Sequence, residues 1–456
     1  MVFSSITFLF FFLPAVLAFV ALSPKKLRNT VLLLASLVFY AWGSQWFVIV
    51  LVATSALDYY LVGQRWLKAS VVLNLSVLAY FKYAGFFAVD VVGAFTPFDN
   101  PPAWLTNVVL PIGISFFTFQ RISYAVDVIS GREEPVNHFG DYMLYIVLFP
   151  QLIAGPIVRY SDISAQLKNR SMTMEGFSDG SVRFALGLSK KVLIADSLGP
   201  VADAVFASDA GNITTPAAIL GTVAYTLQLY FDFSGYSDMA IGLGRILGFT
   251  FPENFNRPYT AVSVTDFWRR WHMTLSFWFR DYVYIPLGGS RTGHTTRNLI
   301  IVFLLTGLWH GAAWTFVVWG AYHGSLLLLE RKFGGRLLPG VGGRIITLVL
   351  VMFGWIVFRA PDFTVAAEVF TSLFAFDFGP VSPAITRSLE TRALVVLLGA
   401  SLVFFQPGRK VAGDANLLSD KAPAALARTM LLGVGMPAAL LVAASQSFSP
   451  FLYFQF

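Results

Sequence analysis

The chain has 456 residues, of which 56% are apolar and 12% are charged, whereas about a quarter of the residues in a soluble domain are charged. This composition excludes an ordinary soluble protein and indicates a polytopic membrane protein. The absence of cysteine excludes disulfides, thiolate metal sites, a cysteine nucleophile and S-acylation. The formal charge of +7 is typical of cytoplasmic loops that contact anionic lipid headgroups, or, as an alternative, of a protein that binds an anionic substrate.

Long uncharged runs follow one another along the chain. They cover residues 1–24, 29–57, 100–120, 142–158, 210–231, 298–329, 345–358, 393–408 and 429–456. About 20 apolar residues cross a hydrocarbon core of roughly 30 Å, so we predict about 11 transmembrane helices. No linker, low-complexity tract or internal repeat separates these runs. The predicted fold class is an all-α polytopic membrane protein in which residues 1–456 form one integral membrane domain.

The ends of the runs predict a topology. The first run has no basic residue before it and no evident small-residue cleavage site, which favours a retained helix over a signal peptide. Basic residues follow it at positions 25–28, and loops rich in Lys and Arg face the cytoplasm. The N-terminus is therefore predicted to lie outside. The basic residues at positions 331–336 place the end of the segment that carries His323 in the cytoplasm by the same rule.

The sequence predicts a long helix that is interrupted at Gly307 or at Gly311. Residues 298–329 number 32, and one helix of that length would be about 48 Å long, which exceeds a core of roughly 30 Å even with tilt. A break at either glycine would place His310 at the end of a half-helix that faces protein. An imidazole at membrane depth costs free energy unless a partner or a task compensates, so His310 is a functional candidate. The alternative is a buried imidazole bonded to a carbonyl or to a neighbouring Trp.

The other histidines have simpler predictions. His323 lies 13 residues after His310, so in a continuous helix it would point about 220° away and lie about 20 Å further along. We therefore predict that the two do not share a site and that His323 makes an interhelical hydrogen bond. His138 and His294 lie among polar loop residues and are predicted to be on the surface. No His-Glu-x-x-His motif or His pair four residues apart indicates a metal site.

Residues 265–289 place several charged side chains among aromatic ones. On one helix, Asp266 and Arg270 would share a face, as would Trp268 and His272. An interfacial amphipathic helix with aromatic anchors is the favoured interpretation. The alternatives are a segment that enters a protein-lined cavity and a re-entrant helix, because lipid cannot solvate so many charges.

Residues 229–258 contain a polar interruption around Gly235. A turn or a broken helix is predicted there, because such interruptions are tolerated at membrane depth only where they are buried in protein or line a cavity. Asp232 and Asp238 could bind a cation or help to form a polar site. The favoured interpretation is that Ser237 or Asp238 caps a following helix.

Two further function classes receive no support. The basic residues are scattered among apolar runs rather than gathered on a nucleic-acid-binding domain. A Gly-x-Ser-x-Gly match occurs at residues 176–180, but a nucleophile elbow requires an apolar strand before it. The preceding residues are polar, so Ser178 is predicted to be an ordinary loop serine.

Eight motifs occur in one order between residues 1 and 330. They are MVFSSITFLFFFLP, LLLASLVFYAWG, PIGISFFTFQRISYAVDV, LFPQLIAGPIVRY, QLYFDFSGYSDMAIGLGRILGF, FPENFNRPY, DFWRRWHMTLSFWFRDYVYIPLGG and GLWHGAAWTFVVWGAYHG. In these motifs the chain resembles the membrane-bound O-acyltransferase (MBOAT) family, and within it the AlgI-like proteins of bacterial alginate O-acetylation. After residue 330 the resemblance is one of hydropathy alone.

The resemblance implies a fold, a location and partners. The expected fold is a ring of tilted helices around a thin centre, with re-entrant or interfacial helices and cavities from both faces that form a central tunnel. The expected location is the bacterial inner membrane, in contact with lipid. No bound cofactor is expected; acetyl-CoA would be the cytoplasmic acyl donor, and periplasmic proteins would carry the acetyl group to the polysaccharide.

The resemblance also assigns site residues. His310 falls where the family's essential histidine lies, and His272 falls where a second functional histidine lies. His310 would act as the general base on the acceptor hydroxyl, since an imidazole ordinarily titrates near neutral pH. His272, Arg269 or the Asn and Gln residues around the cavity could stabilise the oxyanion or orient the donor. The remaining candidates for substrate binding are Trp309, Gln120, Asp232 and Asn256.

Two alternatives remain open at this point. One is an acyltransferase for another acceptor of the cell envelope, such as teichoic acid, peptidoglycan or cellulose. The other is a secondary transporter, which would also contain broken helices and intramembrane His, Asp and Arg. Transporters often show two halves with related hydropathy, and this sequence shows no such pairing.

Overall fold

The computed structural model describes residues 1–95, 102–208, 213–335, 338–405, 422–445 and 451–452. Helices and turns make up these residues, and no β-strand occurs among them, which confirms the all-α prediction. The chain divides into two compact units, each made of two stretches: Met1–Phe184 with Ser237–Pro252, and Ala185–Tyr236 with Glu253–Phe456. That the whole chain is one domain stays a prediction.

The first unit is built from helices of mixed length. They are Thr7–Leu22, Arg28–Ser44, Phe47–Gly63, Leu67–Val92, Ala103–Thr106, Ile114–Ile129, Phe139–Val147, Phe149–Leu152, Tyr160–Lys168, the first part of Met174–Ser189 and the last part of Thr215–Ile246. A buried carboxylate, Asp58, joins three of them: it accepts hydrogen bonds from Ser70, Asn74 and Tyr142, each at 2.6 Å. A buried charge is tolerated only when it is hydrogen-bonded or paired, and Asp58 meets that condition.

The second unit contains a large cluster of buried apolar residues and the histidine motifs. After the end of Met174–Ser189, its helices are Lys190–Ala195, Asp196–Phe206, the first part of Thr215–Ile246, Val264–Trp268, Met273–Phe279, Arg280–Tyr284, Thr295–His310, Trp314–Lys332, Gly340–Arg359, Phe363–Ser372, Pro383–Ser388, Thr391–Phe405, Ala422–Met430, Leu431–Gly435 and Met436–Ser445. The core is rich in aromatic side chains, among which Trp271, Trp319 and Trp355 are almost fully buried.

Among the described residues, three helices are long and apolar enough to cross a membrane: Leu67–Val92, Gly340–Arg359 and Ala425–Ser445. Shorter apolar helices occur at Thr7–Leu22, Phe47–Gly63 and Thr391–Phe405. The described helices therefore support a membrane protein. The count of about 11 spans is not confirmed and stays a prediction, as does the topology.

The helix Thr215–Ile246 runs for 32 residues without a break. The predicted turn or broken helix at Gly235 is therefore wrong, and Ser237 and Asp238 lie inside the helix rather than at its N-cap. Gly235 serves close packing instead, because a Cβ atom at that position would lie 2.8 Å from the Gly187 carbonyl oxygen.

The polar residues of this helix are stabilised by ion pairs. Within the second unit, Lys191 lies 2.7 Å from Asp232, and within the first unit Arg183 lies 2.7 Å from Asp238. Charge pairing compensates the cost of burying these groups, so the backbone has no need to open around them. The sequence pattern could not show this, since both basic partners lie far away along the chain.

His310 and His323 lie in a helical hairpin, which consists of Thr295–His310 followed by Trp314–Lys332. The predicted break is confirmed at Gly311, whose backbone is extended. Gly307 stays inside the first helix. A Cβ atom on Gly307 or on Gly320 would collide with a carbonyl oxygen of the facing helix, so these glycines allow the two helices to pack closely.

Residues 264–284 form short helices, Val264–Trp268, Met273–Phe279 and Arg280–Tyr284, rather than one amphipathic helix. The predicted pair of Asp266 and Arg270 is confirmed, with 2.8 Å between the two groups. Trp268 ends the first helix, and His272 takes a left-handed backbone conformation with φ of 43°. Trp268 and His272 therefore do not share a helix face, because the helix ends between them.

Three predictions concern residues away from this core. His138 and His294 are exposed, as predicted. Ser178, predicted in a loop, lies in the helix Met174–Ser189. The helix begins at Met174, before Ser178, because the Thr173 hydroxyl accepts a hydrogen bond from the Gly176 amide at 3.0 Å. This is an N-capping contact.

Candidate active site

His310 is the last residue of the helix Thr295–His310 and is 3% exposed. Its ring packs edge-on against three aromatic rings, with centroid distances of 4.8 Å to Trp309, 5.0 Å to Trp319 and 5.1 Å to Phe358. The C-terminal end of a helix dipole favours positive charge. Whether His310 takes up a proton during a reaction is not decided by this contact, and its role as a base stays a prediction.

His272 is buried in the same unit, with 1% exposure. Its ring lies 4.7 Å from the Phe233 ring and 5.7 Å from the Trp309 ring. Burial lowers the pKa of His272 to about 3, so the imidazole is neutral at pH 7. Trp309 contacts both His310 and His272 and so joins the two histidines that the family resemblance assigned.

Asn254 holds the turn that carries His272, and sequence reasoning missed it. Its side-chain oxygen lies 3.0 Å from His272 Nδ1, and its backbone carbonyl accepts from the Met273 amide at 2.9 Å. A second backbone link runs from the Asn256 amide to the Arg270 carbonyl, also at 2.9 Å. The motif FPENFNRPY drew attention to Asn256, but motif letters do not show which asparagine faces the histidine.

Glu330 fixes the start of the helix Val264–Trp268 from the far end of the hairpin. Its carboxylate accepts hydrogen bonds from the Val264 amide, from the Thr265 amide at 2.9 Å and from the Thr265 hydroxyl at 2.8 Å. An anion at a helix N-terminus satisfies amides that have no partner within the helix. Glu330 is 1% exposed, so this contact lies in the core. It fixes the start of the short helix that precedes His272.

His323 is fully buried among aromatic rings. The closest are Trp319 at 5.0 Å, Trp268 at 5.1 Å and Tyr322 at 5.2 Å between centroids. Neither ring nitrogen has a hydrogen-bond partner among the described residues, so the predicted interhelical hydrogen bond is wrong.

The distance predicted between His310 and His323 assumed a continuous helix. The hairpin reverses the chain, and both imidazoles contact Trp319. The separation of about 20 Å estimated for one helix therefore does not apply. That the two histidines do not share a site stays a prediction.

A cavity of about 400 Å³ lies between the short helices and the hairpin. Its walls are mainly apolar and include Trp268, Phe277 and Phe303, and two arginines, Arg269 and Arg280, also line it. Sites for small molecules commonly have this character: apolar walls, a few polar groups and volumes of roughly 300–1,000 Å³. Arg269 thus lies at a cavity, and its role in the reaction stays a prediction.

The remaining predicted residues are placed as follows. Gln120 lies in the first unit, 1% exposed, and its amide has no hydrogen-bond partner among the described residues. Asp232 forms an ion pair with Lys191 at 2.7 Å and accepts a hydrogen bond from the Leu452 amide at 2.9 Å. Substrate contacts by these residues and by Asn256 stay predictions.

Comparison with known proteins identifies the family. The MBOAT, membrane-bound O-acyltransferase family, matches residues 59–337, which include His272, His310 and His323. The chain belongs to the membrane-bound O-acyltransferase family. It is therefore an acyltransferase and a membrane protein, and the transporter alternative is excluded by the family assignment.

Several proteins are similar to this MBOAT chain over most or all of its length. A probable alginate O-acetylase AlgI from Azotobacter vinelandii is 43% identical and one from Pseudomonas aeruginosa 42% identical, each over 100% of both chains. A peptidoglycan O-acetyltransferase from Helicobacter pylori is 36% identical over 74% of this chain and 72% of that protein. The AlgI-like resemblance is thereby confirmed.

Proposed function

We propose that this protein transfers acetyl groups across the bacterial inner membrane for O-acetylation of an exopolysaccharide, and that the polysaccharide is alginate. End-to-end similarity at 42% and 43% identity to relatives named as alginate O-acetylases supports the acceptor. The donor is a cytoplasmic thioester, acetyl-CoA. Periplasmic proteins then pass the acetyl group to the polymer, as the resemblance to AlgI-like proteins implies.

One observation carries the proposal: two buried histidines, His310 and His272, both pack against Trp309 inside the part of the chain that matches the family. Buried imidazoles in a membrane enzyme are costly and mark functional sites. Acyl transfer to a hydroxyl needs a base of this kind, because a neutral hydroxyl is a weak nucleophile.

The chemical step follows from a base at His310. The imidazole removes the proton from the acceptor hydroxyl while its oxygen forms a bond to the thioester carbonyl carbon. The carbon–sulfur bond then breaks, the acetyl ester remains on the acceptor, and the imidazolium returns its proton to the leaving thiolate as free CoA. Atoms and charge balance without a cofactor of the protein.

The cavity beside Trp268 supports a site for the donor. Arg269 and Arg280 line it, and guanidinium groups bind phosphate oxygens in paired hydrogen bonds. The phosphates of CoA would bind these arginines, and the apolar wall would accept part of the pantetheine arm. The charge of the chain, +7, also favours an anionic donor.

The test is release of free thiol from acetyl-CoA by the purified protein in nanodiscs, with radiolabelled acetyl groups followed to candidate acceptors. His310→Ala and His310→Gln should reduce the rate by at least about 100-fold. His294→Ala is the matched control, since His294 is exposed, and should retain the wild-type rate. Each variant must show the elution profile and helical content of the wild type.

Three results would decide the proposal. Release that depends on His310, with label on an acceptor, supports it. Wild-type rates in His310→Ala would show that His310 is not the base. No release by the wild-type protein, with or without periplasmic acceptor proteins, would exclude acetyl-CoA as the donor.

A second acceptor has a specific observation in its favour. The relative from Helicobacter pylori named a peptidoglycan O-acetyltransferase shares 36% identity over most of this chain. The same assay should therefore include peptidoglycan fragments beside alginate oligomers. Label on peptidoglycan alone would replace alginate as the acceptor without changing the chemistry at His310.

A further inference from the structure

We infer that Asn254 is a positioning residue that fixes neutral His272 in one tautomer, with the proton on Nδ1 and the lone pair on Nε2. This inference rests on the proposed function, because it concerns the second histidine of the same site. It adds to the role of His272 a statement of which nitrogen can accept a proton or a hydrogen bond.

The identity of the Asn254 atom that faces the histidine follows from its other contacts. The same atom, Oδ1, lies 2.8 Å from the Thr274 hydroxyl and 3.4 Å from the Thr274 backbone amide. A backbone N–H can only donate. The side-chain atom that receives it must therefore be the carbonyl oxygen of the amide and not its nitrogen.

The same reasoning then fixes the proton on the imidazole. An amide oxygen accepts hydrogen bonds and never donates them. His272 Nδ1, 3.0 Å away, must therefore carry a hydrogen. A neutral imidazole has one N–H group, so Nε2 of the neutral ring has none.

The surroundings prevent the two side chains from separating. Asn254 and His272 are each 1% exposed, and the Phe233 ring packs edge-on against the imidazole at an interplanar angle of 89°. The Met273 backbone amide donates a hydrogen bond to the backbone carbonyl oxygen of Asn254 at 2.9 Å. The left-handed backbone of His272, with φ of 43°, is a conformation that non-glycine residues keep only where surrounding contacts hold it.

The tautomer decides what His272 can do in acyl transfer. With the proton on Nδ1, Nε2 can accept a hydrogen bond from a hydroxyl or take up its proton, but a neutral ring cannot donate from Nε2 to an oxyanion. The geometry thus assigns His272 to the accepting side of the reaction. Oxyanion stabilisation by neutral His272 through Nε2, one of the roles considered from the sequence, is excluded under this assignment.

The direct test is nuclear magnetic resonance of the full chain labelled with ¹⁵N-histidine in nanodiscs. The chain has five histidines, and the signals lost in His272→Gln assign this residue. Couplings to the ring protons distinguish Nδ1 from Nε2, and chemical shift reports which one is protonated. We expect Nδ1 to be protonated and Nε2 unprotonated at pH 7; the reverse pattern in the wild type would overturn the inference.

Variants of Asn254 connect the tautomer to the rate. Asn254→Ala removes the acceptor oxygen, so His272 should change to the Nε2–H form, with a fall in kcat of about 100-fold and little change in the KM for the donor. Asn254→Asp keeps an acceptor oxygen and should keep the proton on Nδ1. Asn137→Ala, at an exposed asparagine, is the matched control and should change neither quantity.

The two kinds of readout separate the possible failures. The spectrum of the wild type needs no turnover, so it decides the tautomer even if acetyl transfer is absent and the proposed function fails. If Asn254→Ala does not fold, the wild-type spectrum and that of Asn254→Asp still decide. If Asn254→Ala changes the tautomer and leaves kcat within about twofold, the positioning role in the reaction is refuted.

Discussion

Lys191 provides the sharpest test of how the second unit is held together. Its ammonium group lies 2.7 Å from Asp232 and 2.8 Å from Asp196, and the side chains of Lys191 and Asp232 are each 2% exposed. Replacement of Lys191 by Met keeps a long unbranched side chain and removes the charge. Two carboxylates would then be left without their cation, one of them almost fully buried.

The expected loss can be estimated from these contacts. Breaking a buried ion pair by removing one partner typically costs about 3–5 kcal/mol of unfolding free energy, because the other charge stays buried. Asp232 would keep one hydrogen bond, from the Leu452 amide at 2.9 Å. We therefore expect a loss near the lower end, about 3 kcal/mol.

The assay is equilibrium unfolding in mixed micelles with increasing denaturing detergent. Lys68→Met is the matched control: Lys68 is exposed, and the loss there should stay within about 0.5 kcal/mol. The double variant Lys191→Met with Asp232→Asn should recover much of the stability, since the amide introduced by the second substitution is neutral and its oxygen can still accept from the Leu452 amide. If Lys191→Met unfolds like the wild type, or the double variant is no more stable than the single one, the reasoning is refuted.

Three further predictions concern the hairpin and its neighbours. Gly320→Val should lower the unfolding free energy by about 1–3 kcal/mol, because its side chain would meet the Phe303 carbonyl; thermal unfolding measures this. Glu330→Gln should cost about 2 kcal/mol, since the amide group of Gln cannot accept all the bonds that the carboxylate accepts from the Val264 and Thr265 amides; the same scan measures the loss. His323→Leu should raise the unfolding free energy by about 1–3 kcal/mol, because it removes buried ring nitrogens that have no hydrogen-bond partner among the described residues; the gain should appear as a higher melting temperature. A Gly320→Val protein as stable as the wild type would show that the helices can separate without cost, equal stability in Glu330→Gln would show that the carboxylate does not hold the helix start, and a destabilised His323→Leu would reveal a contact of the imidazole that outweighs its burial.

Local sequence patterns were reliable where the physical cause was local. Composition fixes the membrane class, because a chain with 12% charged residues cannot cover a folded surface in water. The helix break beside His310 followed from run length and from Gly311, and the structure has it there. Asp266 and Arg270 lie four residues apart and form the expected pair.

Errors arose where partners are distant in sequence. The polar residues near Gly235 suggested a broken helix, yet that helix is continuous because Lys191 and Arg183 neutralise its carboxylates. The single amphipathic helix expected around His272 is divided into short helices, and the part before His272 starts where Glu330 binds its amides. No local pattern contains these long-range partners.

The membrane class, the all-α fold, the family and the candidates His310 and His272 follow from the amino-acid sequence, since they depend on composition, periodicity and motifs. The folded chain was needed to show that both rings pack against Trp309 and that Asn254 rather than Asn256 binds the imidazole of His272. The physical reason is that hydrogen bonds and ring contacts depend on where side chains point after the chain has turned. A run of letters specifies that a turn is needed, but packing of distant residues selects its geometry.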